Sequence, residues 1–388
     1  MQVRGSATAN PAKSSPLLSS PMVMVGPCAA YHKGGVAYFT SRLAAAFAQL
    51  RPTRLLSWKE LYPRWLLSRD LDTSILAHHP ADKGAELMLS YSNPWSWRRT
   101  AAAIRSAAPD TVVLNWVHPV HAPIYAYLLH TLKRSSAASR IVICHNIEPH
   151  ERFFGDTFLV RFALRSATAL VVHSEHEAQR ARTLFPQLRV KRLRMPRFNP
   201  FSDLPDTIPS EHPPLLLYFG AVRRYKGIDI LLRAMPEVLT AVPHCRLAIA
   251  GEAFGSHAQE LQDLAAALGL TDSVTFDLRY VPEAELAERF AGVSVVVLPF
   301  REVTQSASLS LAISSGLPVV TTKLPALSEA IEECDRIWVA TPDDPASLAS
   351  AIVSALQTKT THSKAVASAD DSWNRYASEL CALAGAVA

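Results

Sequence analysis

Short apolar runs recur along the chain and alternate with longer segments whose apolar residues return every three or four positions. A short continuous run is typical of a buried strand in a parallel sheet, and the longer periodicity is typical of a helix that packs on it. The predicted strands are 21–26, 111–115, 140–144, 167–173, 215–219, 246–250, 273–277, 293–298 and 318–321. The predicted helices are 37–50, 122–132, 175–184, 228–240, 257–268, 283–291, 307–315, 345–356 and 372–383. This alternation predicts an α/β protein with doubly wound parallel sheets.

The alternation stops at residues 195–214, which contain six prolines and no apolar period. Such a stretch is typical of a linker, so we expect two Rossmann-like domains with a ligand cleft between them. The predicted parts are a disordered tail 1–20, a first domain 21–200, a linker 201–214, a second domain 215–360 and a closing segment 361–388. The helix of that closing segment is expected to cross back to the first domain.

Residues 51–110 show no clear period and are predicted to be irregular. They hold four of the seven tryptophans, interleaved with arginines. Two interpretations stay open for this segment: ordinary packing of loops over the sheet, or an interfacial or acceptor-binding surface.

Composition excludes several classes of protein. Apolar residues make up 49% and charged residues 19%, which is a globular composition, and the net charge of +5 is spread without a basic run. We therefore expect no nucleic-acid partner. The five cysteines are far apart, have no metal-site spacing and fit reduced thiols. No apolar run reaches the roughly 18 residues needed to span a bilayer, so we expect a cytoplasmic protein that is at most peripheral to the membrane.

One loop has the composition of an anion site. Between the strand 215–219 and the helix 228–240 lies Gly220–Gly227, which carries Arg223, Arg224 and Lys226. Free backbone N–H groups and the positive end of a helix would face the same point as these cations. The alternative is a solvated basic turn.

Two further groups of residues fall at strand ends, where ligands of open α/β sheets bind. Gly34 and Gly35 follow the first strand, and they indicate either a close backbone approach to a ligand or a plain tight turn. His118, His145 and His150 follow later strands. Their spacing matches no common metal site, so no metal is expected.

Taken in order, these motifs resemble the GT-B glycosyltransferases, specifically retaining family 4, over nearly the whole chain after residue 20. The resemblance depends on five segments in order: Gly34-Gly35, His145 within Cys-His-Asn, Phe219–Gly227, Ile249–Glu252 and Ser308–Val320. It implies that Arg223 and Lys226 stabilise the leaving diphosphate of a nucleotide-sugar, and that His145 contacts the transferred sugar. Further residues implied to bind the donor are Gly34, Gly35, Gly251, Glu252, Tyr280, Val281, Glu302, Gln305, Ser306 and Ala307.

The sequence departs from the family at one place. Typical members carry two glutamates eight positions apart, which would fall at Val303 and Leu311 here. Glu302 is one position away, and Thr304–Ala307 reads Thr-Gln-Ser-Ala, as in a subgroup of the family. We therefore expect an active subgroup variant in which Gln305 and Ser306 take over donor contacts, with Ser306 at or near a helix N-cap.

The resemblance implies a metal-independent, hexosyltransferase-like enzyme without a cofactor. It would transfer a sugar from a nucleotide-diphospho-sugar, with retention, to a glycan, lipid-linked or small-molecule acceptor. Two other classes stay open at this point: a catalytically inactive GT-B binding or scaffold protein, and a nucleotide-sugar epimerase or hydrolase.

Overall fold

The computed structural model describes residues 20–32, 34–62, 84–116, 118–135, 138–147, 155–196, 213–253, 256–282, 285–303, 306–332, 334–358 and 369–387. Predictions for the tail 1–19 and for most of the linker, 201–212, lie outside these residues, as do those for His150 and Gln305.

The first domain is a seven-stranded parallel sheet with helices on both faces. Its strands run in the order β3-β2-β1-β4-β5-β6-β7, so the chain winds outward in both directions from β1 and β4. The elements are β1 Met22–Val25, α1 Gly35–Leu50, β2 Thr53–Glu60, β3 Glu86–Ser90, α2 Pro94–Ser106, β4 Thr111–Trp116, α3 Ala122–Ser135, β5 Ser139–Cys144, α4 Asp156–Leu164, β6 Ala169–Val172, α5 Glu175–Leu184 and β7 Arg189–Arg192.

The second domain repeats the plan with six parallel strands in the order β10-β9-β8-β11-β12-β13. Its elements are β8 Leu215–Phe219, a 3₁₀ turn Arg224–Lys226, α6 Ile228–Ala241, β9 Arg246–Ala250, α7 His257–Ala267, β10 Val274–Asp277, α8 Leu286–Phe290, β11 Val295–Leu298, α9 Ala307–Ser314, β12 Val319–Thr322, α10 Ser328–Glu332, β13 Ile337–Ala340 and α11 Pro345–Gln357. The last helix is α12 Ala369–Val387. The predicted fold class, two doubly wound halves, is confirmed.

The prediction that residues 51–110 are irregular is wrong for the part that the structure describes. β2, β3 and α2 lie there, and β2 pairs in parallel with both β1 and β3. Charged residues at both ends of β2 interrupt its apolar run, although Leu55, Leu56 and Trp58 are buried. The arginine that breaks the pattern, Arg54, pairs with Glu86 of the neighbouring strand, so the strand tolerates the charge.

The C-terminal helix α12 lies on the first domain although it follows the second in sequence. It packs against α1, where Trp373 and Tyr376 contact the ring of Phe39 at centroid distances of 5.3 and 5.7 Å. The hydroxyl of Ser139 donates to the carbonyl of Ala384 at 3.1 Å. No helix among the described residues is long and apolar enough to cross a membrane.

The two domains also meet at Glu329 of α10. One carboxylate oxygen accepts the backbone N–H of Glu175 at 3.1 Å, and the other pairs with the guanidinium of Arg192 at 2.5 Å. All three side chains are partly exposed, so this contact fixes position more than it adds stability.

Candidate functional site

The basic loop Gly220–Gly227 lies at the carboxyl end of β8, as expected from its place in the sequence. Its shape requires glycine at both ends. A Cβ atom on Gly220 would overlap Ser308 Oγ, and one on Gly227 would overlap the carbonyl oxygen of Pro299. Both glycines have positive φ, of 136° and 71°. The loop is therefore packed directly against the start of α9 and the end of β11.

Arg301, which the sequence analysis did not single out, holds this loop in place. Its guanidinium contacts both carboxylate oxygens of Asp229 at 2.7 and 2.8 Å and donates to the carbonyl of Arg224 at 2.9 Å. Its backbone N–H donates to the carbonyl of Tyr225 at 2.9 Å. The available signal was an Asp in the first turn of α6 and an Arg just after β11, but only the fold brings the two together.

The three cations of the loop have different surroundings. Arg224 is exposed and forms an ion pair with Glu260 at 2.6 Å. Arg223 is exposed, and its charge acts on the hydroxyl of Tyr62, whose pKa is raised by burial and lowered in part by Arg223. Since Tyr62 follows β2 of the first domain, Arg223 lies where the two domains meet. Tyr62 was also missed, because its segment was predicted to be irregular.

Lys226 is the unusual member of the loop. Only 8% of it is exposed, and its ammonium lies 4.3 Å from the ring centroid of Phe300 and 5.2 Å from that of Tyr225. No carboxylate pairs with it among the residues that the structure describes. Burial lowers the pKa of Lys226 to about 8. A buried ammonium without a carboxylate partner is costly, which favours a site that receives an anion at this point of the described structure.

Two helix N-termini face each other across the cleft. α1 begins at Gly35 and α9 begins at Ala307, and a Cβ atom on Gly35 would lie 3.3 Å from Cβ of Ala307. Neither helix has an acidic residue in its first turn. Gly34 has φ of 102° and open space around it. The positive ends of two helices therefore meet beside the basic loop, which Ser308 contacts.

Ser306 is the N-cap of α9, and its hydroxyl accepts the N–H of Leu309 at 3.1 Å. Val303 and Leu311, at the positions of the family's glutamates, are 8% and 3% exposed and belong to the apolar core of the second domain. These two positions therefore supply no carboxylate to the cleft.

The remaining predicted donor-binding residues lie on strand-end segments of the second domain. Gly251 packs so closely on β8 that a Cβ atom would overlap the carbonyl oxygen of Gly220, which by itself explains the glycine. The carbonyl of Glu252 accepts the N–H of Val222 at 2.9 Å. Val281 is a core residue, the neighbouring Tyr280 is partly buried, and Glu302 is exposed.

His145 is more enclosed than a sugar contact requires. It is 6% exposed at the end of β5, and its ring lies 4.7 Å from that of Phe39 and 5.3 Å from that of His173. Burial and the neighbouring His173 lower the pKa of His145 well below its usual range, so the ring is neutral. Its Nε2 atom has no hydrogen-bond partner within the described residues. His118 instead caps a turn, by accepting the N–H of Val120 at 3.1 Å.

Among the described residues no group of histidine, cysteine or acidic side chains has the geometry of a metal site. None of the five cysteines, all of which the structure describes, forms a disulfide.

Comparison with solved structures shows which fold this arrangement belongs to. The chain superposes on sucrose-phosphate synthase from Thermosynechococcus elongatus with a TM-score of 0.66 and 16% identity, covering 95% of this chain and 97% of that one. It superposes on Anabaena Alr3699/HepE in complex with UDP and glucose with a TM-score of 0.65 and 14% identity, covering 93% and 95%. The protein has the GT-B fold.

Sequence comparison finds a family match within the second domain. Residues 213–358 match the glycosyl transferases group 1. The chain is 33% identical over 127 residues to GDP-mannose:glycolipid 4-beta-D-mannosyltransferase from Xanthomonas campestris pv. campestris, covering 33% of this chain and 35% of that protein. It is 31% identical over 216 residues to D-inositol 3-phosphate glycosyltransferase from Thermobifida fusca, covering 48% and 45%. The alignments thus span less than half the length of both relatives.

Proposed function

We propose that this GT-B protein is a glycosyltransferase that takes a sugar from a nucleotide-diphospho-sugar. The observation that supports this best is the buried ammonium of Lys226, just before α6, which has no carboxylate partner among the described residues. A diphosphate would supply the missing negative charge. The match of residues 213–358 to glycosyl transferases group 1 supports the same donor class.

Each part of the site has a role in this proposal. Lys226 and Arg223 neutralise the charge that develops on the departing diphosphate, which is the task a divalent ion performs in other transferases. The N–H groups at the starts of α1 and α9 bind phosphate oxygens, with Gly34 and Gly35 leaving room for the donor. We therefore propose a reaction that needs no metal, and we propose retention of the sugar's configuration from the resemblance to the retaining family 4.

The acceptor side is proposed from the named relatives and from the space around Gly34. One relative is named as acting on a glycolipid and another on an inositol phosphate. A glycan or lipid-linked acceptor, bound on the side of the first domain, is consistent with the open space around Gly34.

A second candidate is a GT-B protein that binds a nucleotide-sugar without turning it over. The burial of Val303 and Leu311 favours it, because a carboxylate that commonly holds the donor in the family is replaced by core side chains. This candidate predicts donor binding without product.

Turnover and binding measured together distinguish the two. A panel of nucleotide-sugars is first screened for an increase in melting temperature, since a ligand at 100 times its Kd adds about 2.7 kcal/mol of stability. The stabilising donor is then incubated with glycan and glycolipid acceptors, with and without chelator. We expect transfer that survives chelation. Stabilisation without transfer to any acceptor would favour the binding protein, and no stabilisation by any donor would contradict both.

A further inference from the structure

The outer surface of the helices α2, α3 and α4 has an unusual distribution of charge. These helices form one layer on the first sheet, since α3 packs against both α2 and α4. Seven arginines and lysines are exposed on them: three on α2, two on α3 and two on α4, including Arg165 directly after its last turn. Their one acidic residue is Asp156, which is buried. We call this surface the α2–α4 face.

No carboxylate among the described residues neutralises the charges of this face. None of the seven has a carboxylate partner among the described residues, whereas the arginines of the second domain near the basic loop, Arg224 and Arg301, are both paired. Like charges collected on one face repel each other unless an external anion neutralises them. The face therefore fits a partner with a broad negative surface.

Exposed aromatic side chains lie among these cations. On α4 the residues Phe158, Arg161, Phe162 and Arg165 follow one another at helical spacing on the outward side, and 71% of Phe158 is exposed. Trp95 at the start of α2 is 68% exposed, with the guanidinium of Arg98 at 5.1 Å from its ring centroid. Large apolar rings surrounded by cations are typical of surfaces that lie in the headgroup region of a bilayer.

The rings on α4 are arranged for insertion and not for stacking on bases. Phe158 and Phe162 stack on each other with centroids 6.4 Å apart, and Arg165 covers Phe162 at 4.9 Å. Phe162 is thus contacted by both of these side chains from within the protein, whereas Phe158 is 71% exposed and can enter an apolar layer. This favours a lipid surface over a single-stranded nucleic acid.

The orientation of the helices connects this face to the cleft. Each of the three follows a strand of the parallel sheet, so its N-terminus lies at the carboxyl edge, where the cleft is. Trp95 and Phe158 both belong to the first turns of their helices.

We infer that the α2–α4 face docks the protein on a bilayer of anionic phospholipid, with the mouth of the cleft close to the membrane. This goes beyond the proposed transferase activity, because it depends on the surface alone and needs neither donor nor catalysis. The tryptophans of residues 51–110 were one reason to consider an interfacial surface. Of these, Trp58 lies in the core and does not belong to such a surface, and Trp65 is outside the described residues.

The experiment measures partition of the whole protein onto vesicles in the absence of donor. Vesicles of phosphatidylcholine are compared with vesicles that also contain phosphatidylglycerol. The salt concentration is varied between about 0.1 M and about 1 M, where the Debye length falls from about 10 Å to about 3 Å. We expect binding to the anionic vesicles at the lower salt concentration only.

Paired variants test which face binds. Arg161→Ala with Arg165→Ala should weaken partition about 30-fold, which is about 2 kcal/mol at about 1 kcal/mol per basic residue. Phe158→Ala with Phe162→Ala should weaken it at least tenfold without a change in charge. The matched control is Lys191→Ala with Arg246→Ala, two exposed cations on other surfaces, which should bind like the wild type.

Several results would overturn the inference. They are equal partition onto neutral and anionic vesicles, absence of binding at low salt, or an equal loss in the control variant. Binding to a single-stranded oligonucleotide but not to vesicles, with loss in the Arg161 and Arg165 variant, would assign the face to nucleic acid instead. Melting temperatures should be the same in all variants, because every substituted side chain is exposed.

Discussion

At the scale of single residues, two cations of the basic loop, Arg224 and Lys226, differ in what surrounds them. Arg224 is exposed and paired with Glu260, so its charge is already neutralised by the protein. Lys226 is buried, its ammonium lies near the rings of Phe300 and Tyr225, and no carboxylate among the described residues pairs with it. If the site binds a diphosphate, Lys226 gains an anionic partner that it lacks in the free protein.

Lys226→Met should lower kcat about 100- to 1000-fold, because one electrostatic contact to the developing charge is lost. Its stability should be equal to or above that of the wild type, since an unpaired buried charge is replaced by an apolar side chain of similar size. In the wild type, donor affinity should fall as the pH rises through about 8, where the ammonium loses its proton. The affinity of the variant should not change over that range.

Arg224→Ala serves as the control for charge alone and should keep nearly normal turnover. Equal loss of activity in both variants would mean that the loop needs its net charge and not the position of Lys226. Initial rates at saturating donor give kcat, donor titrations give the affinity, and chemical unfolding curves give the stability.

At the scale of elements, the docking of α12 on the first domain depends on a buried aromatic cluster. Phe39 of α1 contacts Trp373 and Tyr376 of α12, and the ring of His173 stacks on Tyr376 at 5.8 Å. Burial lowers the pKa of His173 to about 4, although its Nδ1 lies 3.2 Å from the carbonyl oxygen of Leu193. The neutral imidazole is thus part of the packing that holds α12.

Acid should therefore weaken this packing. Because the pKa of His173 is about 4 in the folded protein and 6.5 when unperturbed, the unfolded chain binds more protons between these values. The contribution of neutral His173 to the free energy of unfolding is complete above about pH 6.5 and decreases as the pH falls toward 4. The loss is about 2 kcal/mol at about pH 5. Urea unfolding at several pH values measures this loss.

His173→Phe removes the titrating group while keeping a ring, so its stability should depend less on pH in that window. A variant with the same pH dependence as the wild type would show that other groups, such as His145, carry the effect. A circular dichroism signal followed at fixed urea concentration distinguishes these outcomes.

At the scale of the whole molecule, the two domains approach each other at Gly35 and Ala307 in the cleft, in addition to their contact at Glu329. A larger side chain at position 35 would fill the cleft between the two helix N-termini. Since Gly35 is exposed and its φ is not in the left-handed region, a side chain there does not strain the backbone.

Gly35→Val should therefore weaken donor binding at least tenfold and leave the melting temperature unchanged. Gly84→Val is the matched control, because a Cβ atom at Gly84 meets no atom within 4 Å and its φ is also unrestricted. Gly35→Ala should weaken donor binding less, because its Cβ atom would press on that of Ala307. The added substitution Ala307→Gly removes that contact and should restore donor binding. If it does not, the contact between positions 35 and 307 is not the cause of the loss.

The apolar pattern by itself determined most of the strands and helices and the fold class, because buried strands and amphipathic helices need periodic apolar residues whatever their neighbours are. It failed at β2, where Arg54 and Lys59 interrupt the run, since the pairing of Arg54 with Glu86 across the sheet is not visible in a local pattern. It also missed the short strands β7 and β13, whose side chains are mostly half-exposed.

Of the candidate site, the sequence identified the basic loop, the glycine pair and the cap at Ser306, because free N–H groups, positive φ and capping hydroxyls have local signatures. The cytoplasmic location and the roles of Gln305 and His145 stay predictions. Only the tertiary structure decided that Arg301 fastens the loop, that Arg224 has a carboxylate partner while Lys226 has none among the described residues, and that Gly35 faces Ala307. These contacts join residues more than 30 positions apart, which the folds of the two sheets bring together at their carboxyl edges.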